Sequence, residues 1–363
     1  MARPLIALLP GEGIGPEIVA QARKVLVALQ RHGFEADLEG AAVGGVAYER
    51  FGHPLPDATR ALAQRADAVL FGAVGDARFD HLDRALRPER ALLGLRHALG
   101  LFANFKQVCV PAALASLSPL HAERVAGLDL LVVRELNGDV YTGQPRGRRL
   151  APDGLFAGQR EGFDTMRYAE GEVRRVARLA FEAARQRRCR LTSVDKANVL
   201  ESSGLWRAVV SELAQDYRDV ELTHLYADNA LMQLLTRPTE FDVPVPGNLF
   251  GDLLSDAASV LTGSIGLAAS AMRGDGPRGM YEAGHGTAFD IAGQDRANPI
   301  ACIRAAALML RHSLARADLA DRIEHAVAHV LAQGLRTAEI AGGAHTVQVG
   351  TAAMGDAIAE ALG

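Results

Sequence analysis

Asp252 and Asp256 stand four residues apart in Gly247-Asn-Leu-Phe-Gly-Asp-Leu-Leu-Ser-Asp256, a spacing that puts both carboxylates on one helix face. Leu249, Phe250, Leu253 and Leu254 surround them, which argues against a fully solvated face. Two neighbouring carboxylates repel unless a cation or a proton lies between them. Asp228, in Tyr226-Ala-Asp-Asn229, could supply a third oxygen. With no Cys or His cluster nearby, such a hard-oxygen set points to Mg2+ or Mn2+ rather than Zn2+. The competing reading is acidic residues stabilising helix dipoles. Lys196, in Ser193-Val-Asp-Lys-Ala-Asn198, is one of three lysines in a chain with 39 cationic side chains. A lysine can lose its proton where an arginine cannot, so its retention here suggests a general base, against the alternative of a solvated cation. Arg96, Lys106 and Arg134 each close an apolar stretch. There they could clamp a dicarboxylate or simply snorkel to water.

Two glycine-rich segments could meet a nucleotide. Gly284-His-Gly-Thr-Ala-Phe-Asp-Ile-Ala-Gly293 sets a His and an Asp between small-residue turns. Gly11-Glu-Gly-Ile-Gly-Pro-Glu17 follows an apolar run and opens a helical pattern, as a phosphate-binding loop would. Yet Pro16 occupies the third glycine position of the dinucleotide fingerprint. A tight strand-to-helix turn explains this segment equally well.

The elements that must carry these residues are legible as a βαβ rhythm. Leu5–Leu9, Ala68–Val74, Leu128–Arg134, Leu191–Val194, Glu221–Tyr226 and Phe241–Val245 read as strands. Helical patterns follow Pro16, fill Glu170–Arg188 and dominate the last third in Asn298–Ala315, Leu319–Ala332 and Thr351–Leu362. The alternation predicts an α/β fold with parallel strands. Gln144–Gly162, rich in Gly, Pro and Arg, reads as a long exposed loop or arm. At 363 residues the chain exceeds one ordinary core, so two domains are expected.

Composition excludes other classes. A net charge of −4 argues against nucleic acid as partner. No apolar run is long enough for a bilayer, and the N-terminal apolar stretch is too short and lacks the cleavage site of a signal peptide. Three widely spaced cysteines fit a reducing cytosol and no disulfide framework. A cytoplasmic location is therefore expected.

Gly13-Ile-Gly-Pro-Glu17, Arg87-Pro-Glu89, Ser193-Val-Asp-Lys-Ala-Asn-Val-Leu200, Gly247–Asp256 and Gly284-His-Gly-Thr-Ala288, in this order, closely resemble the isocitrate/isopropylmalate dehydrogenase family of β-hydroxyacid oxidative decarboxylases. The resemblance runs from Leu5 to Met354-Gly-Asp-Ala357. It implies that family's fold, two α/β domains and not a Rossmann fold. Residues 1–101 and 263–363 would form a discontinuous cofactor-binding domain, and residues 102–262 a small domain with the dimer interface and arm. It further implies a homodimer whose active sites are shared. Asp252 and Asp256 would bind Mg2+ or Mn2+ with Asp228 from the other subunit. Lys196, also from that subunit, would accept the hydroxyl proton, and Tyr141 would protonate the carbon left after loss of CO2. Arg96, Lys106 and Arg134 would hold the carboxylates of a malate.

The resemblance also implies substrate and cofactor choice. Glu89, Leu92 and Leu93 stand before Arg96, where isocitrate enzymes meet a third carboxylate, and Val199 could add to that pocket. Leucines there accept an isopropyl group and leave a carboxylate unsolvated. The implied reaction is oxidative decarboxylation of 3-isopropylmalate or a close 3-substituted malate, in leucine biosynthesis or a paralogous pathway. Another 3-substituted malate, tartrate, a homoisocitrate-like acid or a non-catalytic regulatory role are the alternatives. Asp290 and Ile291 resemble the NAD branch, since a carboxylate accepts a ribose hydroxyl and repels a 2′-phosphate. Ile14, His285, Gly286, Thr287, Ala288 and Asn298 would complete the NAD site.

Departures from the family pattern are Ala283-Gly284 and Phe289 in the cofactor loop, Asp76 in place of a Gly in Gly72-Ala-Val-Gly-Asp76, and Lys106 where an arginine is usual. Lysine keeps the charge but loses the bidentate fork. Lys106→Arg should therefore tighten substrate binding by about ten- to a hundredfold, the worth of one charge-assisted hydrogen bond, read as KM across a series of 3-substituted malates.

Overall fold

The structure, a computed structural model, describes residues 3–342 and 345–363. Its principal strands, in chain order, are β1 (Leu5–Gly11), β2 (Asp37–Gly40), β3 (Ala68–Ala73), β4 (Ala103–Cys109), β5 (Asp129–Glu135), β6 (Gly147–Leu150), β7 (Arg160–Phe163), β8 (Arg190–Asp195), β9 (Glu221–Tyr226), β10 (Val243–Pro246), β11 (Ala269–Arg273) and β12 (Gly279–Ala283). The chain divides into two compact units. One runs to Asp129 and resumes over Ala258–Gly363; the other is Leu130–Ala257.

Within the first unit the strand order is β2-β1-β3-β12-β11-β4. β1 lies parallel to β2 and β3, and β12 parallel to β3. β11, however, runs antiparallel to both β12 and β4, so the expectation of parallel strands fails here. The cause is local: β11 and β12 are joined by residues 274–278, and so short a link can connect only antiparallel neighbours. The same pairing places β4 in this unit, which runs to Asp129. The register aligns Lys106, Ser270 and Glu282 in one cross-strand row. The helix Ile300–His312 is buried along its whole length from Ile300 to Leu310 and packs on β11 and β12. Its Ala-rich, all-round apolar surface suits a central helix rather than a surface one.

The second unit is built on the parallel sheet β10-β8-β9, with the helices Glu170–Arg185 and Glu201–Leu213 packed beside it. The short apolar runs of β8 and β10 are buried, as strands covered by helices should be. The segment read as a loop or arm contains β6 and enters β7, which pair as an antiparallel hairpin. Its Leu150, Leu155 and Phe156 are exposed. No helix among the described residues is long and apolar enough to cross a membrane.

Asp242 fixes the entry to β10, and through it the start of the helix Asn248–Val260. Its buried carboxylate accepts the Arg187 Nε–H at 2.9 Å, the Arg188 N–H at 2.9 Å and the Arg190 N–H at 3.3 Å. Asp242→Ala would leave those donors unmatched and should cost about 3 kcal/mol, measured by urea denaturation.

Candidate active site

The helix Asn248–Val260 follows β10 after one residue and presents Asp252 to β5. Arg134, on β5, donates from Nη1 to Asp252 Oδ1, while its Nε and Nη2 donate to Asn248 Oδ1 at 3.1 and 2.8 Å. This close approach requires glycine at 251, where a Cβ would stand 2.5 Å from Arg134 Cγ. The other Asp252 oxygen accepts the Tyr141 hydroxyl at 2.6 Å. Partial burial and the bond to Asp252 both hold the Tyr141 phenol above its ordinary range, against the pull of Arg134. The structure thus brings together Arg134, Tyr141 and Asp252. Asp256 lies one turn further along the same helix.

A second group forms at the ends of β8 and β9. Lys196 Nζ donates to Asp228 Oδ1 at 2.6 Å, and that bond holds the exposed Asp228 carboxyl below its ordinary range. Asp195 anchors the turn that carries Lys196. Its buried carboxylate accepts the Ala197 N–H at 2.9 Å and the Arg207 guanidinium at 2.9 and 3.0 Å. Among the described residues no three His, Cys, Asp or Glu side chains gather as a cation site. Asp228 is therefore not joined to Asp252 and Asp256 within one chain, although all three offer the hard oxygens that Mg2+ or Mn2+ prefers. Val199 lies exposed three residues beyond Lys196.

In the first unit, Arg96 sits on the helix Arg90–Ala98, which Glu89 precedes and which also carries Leu92 and the exposed Leu93. Arg96 Nε approaches Met272 Sδ at 3.1 Å. Lys106 is buried on β4. Sequence reasoning missed Glu282, two strands away in the same row. Burial pushes its carboxyl up to about 7, while Arg96 and Lys106 pull it down. A lone Glu next to Tyr281 carries no signal; the strand register relates it to Lys106, and Arg96 reaches it from a helix.

The cofactor candidates converge more fully. Ile14, His285, Gly286, Ala288, Ile291 and Asn298 line a cavity of about 120 Å3 together with Ile265 and Glu339. Thr287 and Asp290 are not in that lining. Thr287 instead ties the loop down, accepting the Ile14 N–H through its carbonyl at 2.8 Å and donating its hydroxyl to Gly75 O at 2.9 Å. Asp290 is exposed beside the cavity loop. Sequence reasoning missed Ile265 and Glu339, which are far from the loop in sequence and match no motif. Burial raises the Glu339 carboxyl, opposed by His285 and Asn298. Apolar walls with a carboxylate acceptor suit an adenosine carrying free ribose hydroxyls, so the residues fit NAD.

The loop Gly11–Glu17 acts here as a tight turn. Glu12 fills its own cradle of amides, accepting the N–H groups of Gly45, Val46 at 3.2 Å and Gly75 at 2.8 Å. The loop's own amides are taken by backbone carbonyls, the Glu12 N–H by Ala73 O at 2.9 Å, the Ile14 N–H by Thr287 O at 2.8 Å and the Gly15 N–H by Glu12 O at 3.0 Å, so they are not open to a phosphate.

The chain belongs to the isocitrate/isopropylmalate dehydrogenase family, whose sequence model matches residues 5–358. The fold is correspondingly that family's mixed α/β architecture with several sheets. Over 360 residues the chain is 62% identical to a 3-isopropylmalate dehydrogenase of Burkholderia lata, covering 98% of this chain and 99% of that one. It is 59% identical over 358 residues to a 3-isopropylmalate dehydrogenase of Bordetella pertussis, covering 99% of each. Among solved structures it is similar to isocitrate dehydrogenase from Methylococcus capsulatus, with TM-score 0.84, 34% identity and 99% of each chain covered. A β-decarboxylating dehydrogenase from Thermococcus kodakarensis matches with TM-score 0.79 and 30% identity, over 99% of this chain and 96% of that one.

Gly13 generates a direct test of the cofactor cavity. Its φ is +61°, and a Cβ there would stand 2.0 Å from Thr287 O. Gly13→Ala should displace the loop and raise KM for NAD by about tenfold, the equivalent of roughly 1.4 kcal/mol, with a much smaller change in KM for the malate.

Proposed function

We propose that the chain is an NAD-dependent 3-isopropylmalate dehydrogenase of leucine biosynthesis that oxidatively decarboxylates its substrate. One observation carries this reading. Each of two proton-carrying groups is hydrogen-bonded to a candidate metal carboxylate: Lys196 to Asp228 and Tyr141 to Asp252. A base and an acid, each set against a separate carboxylate, suit a reaction that removes one proton and returns another. The identity to enzymes named for this substrate supports the choice of malate.

Lys196 takes the proton of the substrate hydroxyl, and Tyr141 returns a proton to the carbon that loses CO2. Arg96, Lys106 and Arg134 neutralise the substrate carboxylates. Leu92, Leu93 and Val199 meet the alkyl group, with Glu89 beside them. Asp252 and Asp256 of one copy, with Asp228 of a second, would hold Mg2+ or Mn2+. When bound, such a cation supplies Lewis-acid stabilisation of charge on oxygen, and NAD supplies the hydride acceptor. Ile14, His285, Gly286, Thr287, Ala288, Asp290, Ile291 and Asn298 would hold NAD, with Glu339 and Ile265 as additions. Exposed Met232, Leu235 and Leu253 support a homodimer, with residues of the second unit and its hairpin at the interface. A cytoplasmic site of action accords with a soluble enzyme of this family.

Purified protein with NAD and Mn2+ should form NADH with 3-isopropylmalate, and more slowly or not at all with isocitrate, tartrate or malate. Lys196→Ala should lower kcat by about 10^2- to 10^4-fold without abolishing NAD binding. Absence of NADH from every acid tested, with metal and NAD still bound, would point instead to a regulatory paralogue.

A further inference from the structure

Asp139 has a backbone that disfavours its side chain. It sits at φ +73°, a left-handed conformation that is uncommon for any residue with a Cβ. It is also 1% exposed. A glycine would satisfy that φ without strain, so the carboxylate must be present for what it contacts.

Those contacts lead in one direction. Asp139 Oδ2 accepts the Leu249 N–H at 3.1 Å and the Tyr168 hydroxyl at 3.4 Å. The Tyr168 oxygen in turn accepts the Asn248 N–H at 2.7 Å. The first amides of the helix Asn248–Val260 are thus capped from outside by Asp139 and Tyr168, a carboxylate being favoured at that positive end. The backbone of Asp139 holds the other side. Its N–H donates to Arg167 O at 3.1 Å, and its carbonyl accepts the Gly143 N–H at 3.0 Å, closing the turn that contains Tyr141. Tyr141 lies two residues from Asp139, and Asp252 lies three residues into the helix from Leu249. One residue therefore ties down both partners of the 2.6 Å hydrogen bond between Tyr141 and Asp252.

We infer that Asp139 is a positioning residue that sets the Tyr141 hydroxyl against Asp252, acting through the helix start and not on the substrate. The inference rests on the reading of Tyr141 as a proton donor, and it names a residue that neither motif nor resemblance singles out. Its side chain fixes the helix and its carbonyl fixes the turn, so loss of the carboxylate frees one relative to the other. Asn would preserve part of this, because it tolerates the left-handed conformation and keeps an oxygen for Leu249, although its amide replaces the oxygen that accepts the Val140 N–H at 2.6 Å. Gly would relieve the backbone and empty the clamp.

The test compares Asp139→Gly and Asp139→Asn in the full-length enzyme. Asp139→Gly should lower kcat by about ten- to a hundredfold, in keeping with the cost of misplacing a reacting group. KM for the malate should stay within about twofold, the signature of an interaction used in the chemical step. Asp139→Asn should recover part of the lost kcat. Fluorotyrosine placed at position 141 gives a readout without turnover. Its fluorine resonance should shift in Asp139→Gly, as in Asp252→Asn, and return in Asp139→Asn. Trp206, the single Trp of the chain, packs edge-on against Tyr168 at 5.2 Å. Asp139→Gly leaves the Leu249 N–H and the Tyr168 hydroxyl without their acceptor, so its melting temperature should fall, and kcat is compared well below that temperature, where a buried-type Trp206 emission shows both variants folded. Wild-type kcat with an unshifted resonance in Asp139→Gly would overturn the inference. So would a loss of kcat in folded Asp139→Gly with the resonance unshifted, because that marks a structural role alone. If the wild type itself forms no NADH, the functional reading fails, while the fluorine comparison still decides whether Asp139 places Tyr141.

Discussion

The Asp252 carboxylate is where the second unit's structure and its proposed chemistry meet. Its two oxygens are divided between a guanidinium and a phenol. The group cannot rotate freely, since each oxygen has a separate partner. β5, the helix Asn248–Val260 and the turn of Tyr141 are all committed to this arrangement. Asn248 extends it by binding the same Arg134 and reaching back to Gly138 O at 3.2 Å. Preorganisation of this kind lets a site act without first rearranging.

Much of the framework was readable because hydrophobic period and glycine position are local signals. The strands beginning at Leu5, Ala68, Arg190 and Glu221 emerge from apolar runs bounded by turns. β11 and β12 were not recognised, although their pairing decides that the first sheet is mixed. Their short, small-residue sequences around Ala269 and Gly279 resemble loop as much as strand, and only the partner strands distinguish the two. The hairpin β6–β7 was hidden for the opposite reason. It is so exposed that no alternation of apolar and polar residues marks it.

The site divides in the same way. Asp252, Lys196 and Asp228 stand in segments whose residue types are chemically conspicuous, and the cofactor loop announces itself by its small residues. Glu339, Ile265 and Glu282 depend on tertiary placement, and no spacing rule links them to the loops they adjoin. Glu12 shows the limit of motif reading most clearly. Its segment looks like a phosphate loop, yet the loop's own amides bond backbone carbonyls, and its carboxylate reaches out to the amides of Gly45, Val46 and Gly75. The turn is a brace and not a receptor.

The contact between Gly251 and Arg134 has a consequence for how such a chain can change over time. The space that a methyl group would need at position 251 is taken by the stem of the arginine. The two positions are therefore not independent variables. Any substitution at 251 must be preceded by a shorter residue at 134, and that first step removes the cation from Asp252. A path through sequence space that alters the helix surface here crosses a deep valley.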